Sequence, residues 1–106
     1  MTLIRRKGFV AGLEEGVLWY ASQLEHGPAA AELLAERFAR AVDLTIAAIA
    51  RRPDSGVIWQ HRPGYRLALV KKPFAPWLIF YRQPGPMTVE LVDSVRGERD
   101  LPRRVS

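Results

Sequence analysis

Between Ser55 and Val89 the chain contains no acidic residue, yet it carries Arg62, Arg66, Lys71, Lys72 and Arg82. Those five cations equal the net charge of +5 on all 106 residues. Residues 1–53, by contrast, hold seven basic and six acidic side chains and are nearly neutral. A surface of one sign steers and binds an anionic partner, either a nucleic acid or an acidic protein. Guanidinium and ammonium groups also stabilise charge that develops on a phosphate. Proton transfer needs other side chains. After Tyr81 the chain has no tyrosine, histidine or lysine, and arginine is a poor proton donor near neutral pH. His61 and Tyr65, just ahead of the basic strand, are the acid/base candidates, with an ordinary loop histidine and a half-buried sheet tyrosine as the alternative readings.

Other chemistries lack their components. Cysteine is absent and histidine is limited to His26 and His61. That excludes a disulfide framework, an iron–sulfur cluster, a zinc finger and a thiol nucleophile, and no metal site is expected. Ser22, Ser55, Ser94 and Ser106 have no G-x-S-x-G setting, as a hydrolase nucleophile would require. Neither a G-x-G-x-x-G pattern nor a P-loop is present, so no nucleotide or other cofactor is expected. Arg5-Arg6-Lys7 begins like a secretory signal, but Glu14 and Glu15 interrupt the apolar stretch that should follow. No apolar run reaches the length of a membrane span. A cytoplasmic protein with no membrane partner is expected.

The elements that position these residues follow from period and punctuation. A chain of this length makes one domain, residues 1–106. Residues 2–6 read as a short first strand. Leu13, Val17, Tyr20, Ala21 and Leu24 recur at helical spacing and predict a helix from about Val10 to His26, stopped by Gly27-Pro28. A second helix is predicted from Pro28 to about Arg51, with Leu34, Phe38, Val42, Thr45 and Ile49 on its apolar face and Leu33, Ala41, Leu44 and Ala48 widening it. Pro53 ends it. Tyr65 to Val70 alternates as a strand does. Trp77 to Tyr81 is apolar on both faces, as a covered central strand must be. After turn residues at Gln83 to Pro86, Met87 to Asp93 completes an antiparallel meander. The expected class is α+β, in the order β-α-α-β-β-β, with a helical hairpin packed on one face of an antiparallel sheet. Alternation assigns Arg66 and Arg82 to the other face, with Arg62, Lys71 and Lys72 around its rim.

In that order, these residues resemble the RelE/ParE superfamily of toxins from bacterial type II toxin–antitoxin modules, on its ParE-like branch. Leu13-Glu14-Glu15 resembles the family's D-L-x-x-I segment, and Gly27-Pro28 with Ala30 and Ala31 its G-P-x-A-A helix junction. Arg52-Pro53-x-x-Gly56 resembles F-P-x-x-G, Phe80-Tyr81-Arg82 the strand signature I-F-Y-R, and Val95 to Pro102 the ending V-x-H-G-x-R-D-L-P. Gly12 departs from the family in replacing an acidic residue, which removes a charge near the start of the first helix. Arg96 replaces a histidine.

The resemblance implies a toxin neutralised by a cognate acidic ParD-like antitoxin in a toxin–antitoxin hetero-oligomer. Two activities are implied by the two branches: poisoning of DNA gyrase, or cleavage of mRNA on the ribosome. Gyrase poisoning needs no catalytic group, and its expected target-binding residues are Arg62, Arg66, Lys71, Lys72, Arg82, Arg96 and Arg99. An endoribonuclease would draw on His61 and Tyr65. A plain nucleic-acid-binding domain is a third reading, for which Trp59, Tyr65, Trp77, Phe80 and Tyr81 would be stacking candidates.

Overall fold

The computed structural model describes residues 1–71, 73, 74 and 77–97. In chain order its elements are β1 (Thr2–Arg5), α1 (Lys7–Ala21), α2 (Pro28–Arg51), a 3₁₀ turn at Pro53–Ser55, β2 (Val57–Ile58), β3 (Tyr65–Leu69), β4 (Trp77–Gly85) and β5 (Thr88–Arg96). A helical hairpin lies on one face of a five-stranded sheet of order β1-β5-β4-β3-β2. No helix among the described residues is long and apolar enough to cross a membrane.

The first helix begins earlier and ends earlier than its apolar spacing suggested. Its last turn is closed by side chains. Ser22 Oγ and Gln23 Nε2 both donate to the Trp19 carbonyl, at 2.7 and 3.1 Å, which stops the helix at Ala21 and leaves Leu24 exposed. Gly27, at φ +94°, then turns the chain into Pro28 at the start of α2. The second helix has the bounds expected from its proline and terminal arginine, and its expected face at Phe38, Val42, Thr45 and Ile49 is buried, but the stripe widens mainly on the opposite flank. Ala31, Ala35, Phe38, Ala41, Val42, Thr45, Ile46 and Ile49 are buried, whereas Leu33, Leu44 and Ala48 are exposed. Phe38 holds the hairpin to the sheet, with its ring 4.9 Å from Tyr20 and 5.2 Å from Trp77. Trp77 Nε1 donates to the Tyr20 hydroxyl at 3.1 Å.

The sheet is mixed rather than wholly antiparallel. β3, β4 and β5 form the expected meander, but β1 joins β5 in parallel, with Leu3 opposite Val89 and Ile4 opposite Glu90. No hairpin turn ties these two strands, so their relative direction is set by the way α1 runs back across β5. The loop expected ahead of β3 contains β2, whose Val57 and Ile58 pair with Leu67 and Arg66. β4 is covered on both sides, as its sequence required. Trp77, Ile79 and Tyr81 enter the helix-side core, while Leu78 and Phe80 pack under Trp59 with Val95, Tyr65 and Leu67.

Two features of register decide where the charged residues go. β3 and β4 pair with Tyr65 opposite Arg82 and Arg66 opposite Tyr81. Arg66 therefore shares the helix-covered face with Tyr81 and Ala68, and only Arg82 lies on the outer face; the two arginines expected side by side are on opposite sides of the sheet. In β5 the register slips between Phe80/Asp93 and Tyr81/Leu91, which leaves Val92 as the extra residue of a bulge. Val95 consequently faces outward with Leu78, while Leu91 and Val89 face the helices with Tyr81. Glu90 is thereby turned outward, opposite Arg82.

Two glycines permit close approaches. Gly12 lies in the interior of α1, buried against β5, and a methyl group there would strike the Ser94 carbonyl oxygen. The space, rather than a missing helix-end charge, accounts for glycine at this position. Gly56 rests on the Tyr81 ring. The Tyr81 hydroxyl donates to the Pro53 carbonyl at 2.8 Å and accepts from the Gly56 N–H at 3.0 Å, so the P-x-x-G turn is pinned to β4.

Gly12→Ala should lower stability even though alanine is the better helix former by about 1 kcal/mol. Overpacking against a backbone carbonyl costs about 1–3 kcal/mol, and thermal melts should show the midpoint falling. Tyr81→Phe should lose about 1–3 kcal/mol by leaving both turn groups without their partner. Unchanged melting of either variant would contradict this packing.

Candidate functional site

The best-organised charged site lies on the outer face of the sheet, where β1, β3, β4 and β5 bring distant residues together. Each side chain arrives through backbone pairing. Arg82 of β4 stands opposite Tyr65 on one side and Glu90 on the other. Arg6 follows β1 directly, and its N–H donates to the Leu91 carbonyl at 2.9 Å. Arg82 Nε donates to Glu90 Oε1 at 3.0 Å and its terminal nitrogen to Oε2 at 3.4 Å. Arg6 donates to the same Oε2 at 2.9 Å.

The carboxylate is the inner member of this triad. Its side chain is 7% exposed, against 55% for Arg6 and 41% for Arg82. The hydrogen bond from Arg6, then that from Arg82, holds the Glu90 carboxyl below the ordinary range, against a smaller opposing effect of burial. The same bonds raise both guanidinium pKa values. Glu90 is thus a fixed anion at neutral pH, poorly suited to accept a proton.

Tyr65 links the triad to a third arginine. The guanidinium carbon of Arg62 lies 4.9 Å from its ring centre and that of Arg82 5.9 Å. The intervening turn is tied by backbone bonds from Trp59 to the Tyr65 carbonyl and from Tyr65 to the Arg62 carbonyl, at 2.9 and 3.1 Å. His61 sits edge-on to Trp59, with ring centres 5.7 Å apart, and Trp59 lies on Phe80 at 4.8 Å. Tyr65 is half-buried and His61 exposed.

The structure divides the remaining expected residues among other places. Arg66 donates to the Gly56 carbonyl at 2.8 Å and borders a cavity of about 280 Å³ with Pro53, Ile58, Tyr65, Tyr81 and Gln83. Burial pushes the Tyr81 phenol up from its ordinary value, so it stays neutral. Lys71 lies beyond the far end of β3, exposed beside Leu44, Ala48 and Arg51. Arg96 is stacked 4.5 Å above Trp19 of α1, about 20 Å along β5 from Glu90 at the usual rise per residue. Lys72 and Arg99 lie outside the described residues, as does most of the C-terminal motif.

Sequence reasoning missed Arg6 and Glu90. Arg6 looked like part of a basic N-terminus, and Glu90 like one residue of an apolar strand. The one available signal was a charged residue inside that run, which requires a partner when buried. Its partner is 84 residues away in the chain. Among the described residues no group of three or more histidine, aspartate or glutamate side chains could hold a metal ion.

No protein-family model matches the chain, and no curated protein matches it. Among solved structures it is similar to a chain of the chromosomal ParDE TA system from P. aeruginosa. The correspondence has a TM-score of 0.67 over 91% of this chain and 95% of that one, at 16% sequence identity. That likeness establishes the fold, two helices on a five-stranded mixed sheet, which is the architecture expected of the RelE/ParE toxins.

The triad has a pH signature. Because the folded-state pKa of Glu90 is lowered, its stabilising contribution is present above the unfolded value near 4.5 and is lost as pH falls through the folded value. Glu90→Gln should melt several degrees below the parent at pH 7, and the gap should narrow as pH falls below about 4.5. A gap independent of pH would show that the ion triad contributes nothing.

Proposed function

We propose that this protein is the toxin of a type II toxin–antitoxin module, neutralised by an acidic ParD-like antitoxin, and that it acts in the cytoplasm by poisoning DNA gyrase. The observation that carries the toxin reading is the correspondence of nearly the whole chain with a chain of a ParDE system, joined to the motif order from Leu13 to Arg82. Apolar side chains left in solvent support a covering partner: Leu18, Leu33, Leu44, Val57, Ile58 and Leu69 are each about half exposed or more. An extended acidic chain that folds on binding would cover them and meet the excess of arginine.

The choice of gyrase rests on how the candidate groups are engaged. Arg82 is committed to Glu90, and the Glu90 carboxyl is held ionised. Tyr65 lies against two guanidiniums, and His61 against Trp59. Each group has a structural partner, and the basic residues are spread over several surfaces. A toxin that works by fitting a target needs such surfaces and no proton relay. Ribosome-dependent mRNA cleavage is the competing activity, and it would have to recruit His61 or Tyr65.

Purified protein should inhibit gyrase supercoiling and stabilise the cleaved-DNA complex, and it should co-purify with the product of a short acidic reading frame beside its gene. Codon-specific mRNA cuts in a toeprinting assay, with gyrase unaffected, would reverse the assignment of target. Replacing Arg66, Arg82 or Arg96 singly by alanine should weaken growth inhibition in a graded way, by about 1–3 kcal/mol of charge-assisted contact each. Complete loss of toxicity from one substitution in a folded variant would favour catalysis instead.

A further inference from the structure

Arg6, Arg62 and Arg82 converge on one end of the outer sheet face, where, among the described residues, Glu90 is the acid paired with Arg6 and Arg82. Three cations and one anion leave this cluster at +2. Each guanidinium has five N–H donors. Glu90 takes one from Arg6 and two from Arg82, and it does so from beneath, since the carboxylate is buried and both guanidiniums are substantially exposed. Two like charges would otherwise repel. The shared carboxylate holds them together with their outer N–H groups available.

We propose that this cluster is a seat for the phosphate backbone of duplex DNA, with Arg6 and Arg82 sharing a phosphate, Arg62 reaching the adjoining backbone, and Glu90 as the positioning residue. A planar carboxylate is best held by the fork of one guanidinium, and the fork of Arg82 already holds Glu90. A tetrahedral phosphate accepts from several directions and can take donors from two guanidiniums at once. The aromatic side chains argue for a duplex over a single strand. Tyr65 is engaged by two arginines and Trp59 is buried on Phe80, so neither offers a free ring for an unstacked base.

The test measures anisotropy of a fluorescein-labelled 20-base-pair duplex with the protein alone, over a salt series. Arg62→Ala should weaken binding about fivefold or more at low salt and lower the slope of log K against log salt by about one. Arg6→Ala and Arg82→Ala should do the same, while Arg37→Ala and Arg40→Ala on the exposed flank of α2 should have no effect. Glu90→Gln removes a negative charge and should nevertheless not tighten binding. Circular dichroism checks folding; if the triad variants unfold, Arg62→Ala decides alone, because Arg62 makes no ion pair among the described residues. Several results would overturn the proposal: tighter binding by Glu90→Gln, equal losses in the α2 variants, preference for the single strand of the same sequence, or displacement by poly-glutamate as readily as by DNA. Binding of tripolyphosphate without DNA would mark a free-phosphate site and overturn it equally. DNA binding with no effect on gyrase would count against the toxin's proposed target and leave this seat standing; gyrase poisoning without DNA binding would do the reverse.

Discussion

Leu91 and Val95 are four residues apart in β5 and would share a face in an unbroken strand, since side chains alternate with period two. The bulge at Val92 puts them on opposite faces. Val95 then completes the outer apolar cluster with Leu78, Phe80 and Trp59, while Leu91 and Val89 complete the core beneath the helices. If the strand kept its phase from Val95, Glu90 would point into that apolar core, where an unpaired carboxylate is strongly disfavoured. The single extra residue turns it towards Arg82 and Arg6 instead. Both hydrophobic clusters and the charged site therefore depend on one irregularity of backbone pairing.

The contacts around the bulge make the arrangement rigid. Across β5, α1 lies close enough that Gly12 meets the Ser94 backbone, so helix and strand cannot slide without a clash. Across β4, the hydroxyl of Tyr81 bridges Pro53 and Gly56, which fixes the chain between α2 and β2. Arg66 reinforces that turn through the Gly56 carbonyl. A residue that looked like part of a target-binding surface thus also secures the fold, and its removal acts through stability as well as charge.

Charge in this molecule is concentrated along the chain but dispersed in space. Of the cations between Ser55 and Val89, the four among the described residues go to three different places. Arg62 and Arg82 meet over Tyr65, Arg66 passes to the helix side, and Lys71 goes to the far end of β3. Arg6, from the nearly neutral first half, joins the outer site. Such a distribution suits recognition of an extended anionic partner, because each surface adds a graded electrostatic contribution. It suits acid/base catalysis less, since that needs two titratable groups focused on one reacting atom.

The sequence by itself determined the features that rest on near neighbours. Gly27-Pro28 and Arg51 to Pro53 bounded α2 correctly, because turn geometry and helix termination act within a few residues. The unbroken apolar run from Trp77 to Tyr81 identified the central strand, and the α+β order followed from these elements. Tertiary structure alone decided the parallel direction of β1, the flank on which the buried stripe of α2 widens, the need for glycine at position 12, and the helix-side face of Arg66. The pairing of Arg6 with Glu90 was beyond local reading altogether. Which face a strand residue takes depends on cross-strand register and on bulges, and both are set by how separate elements pack, not by the residues on either side.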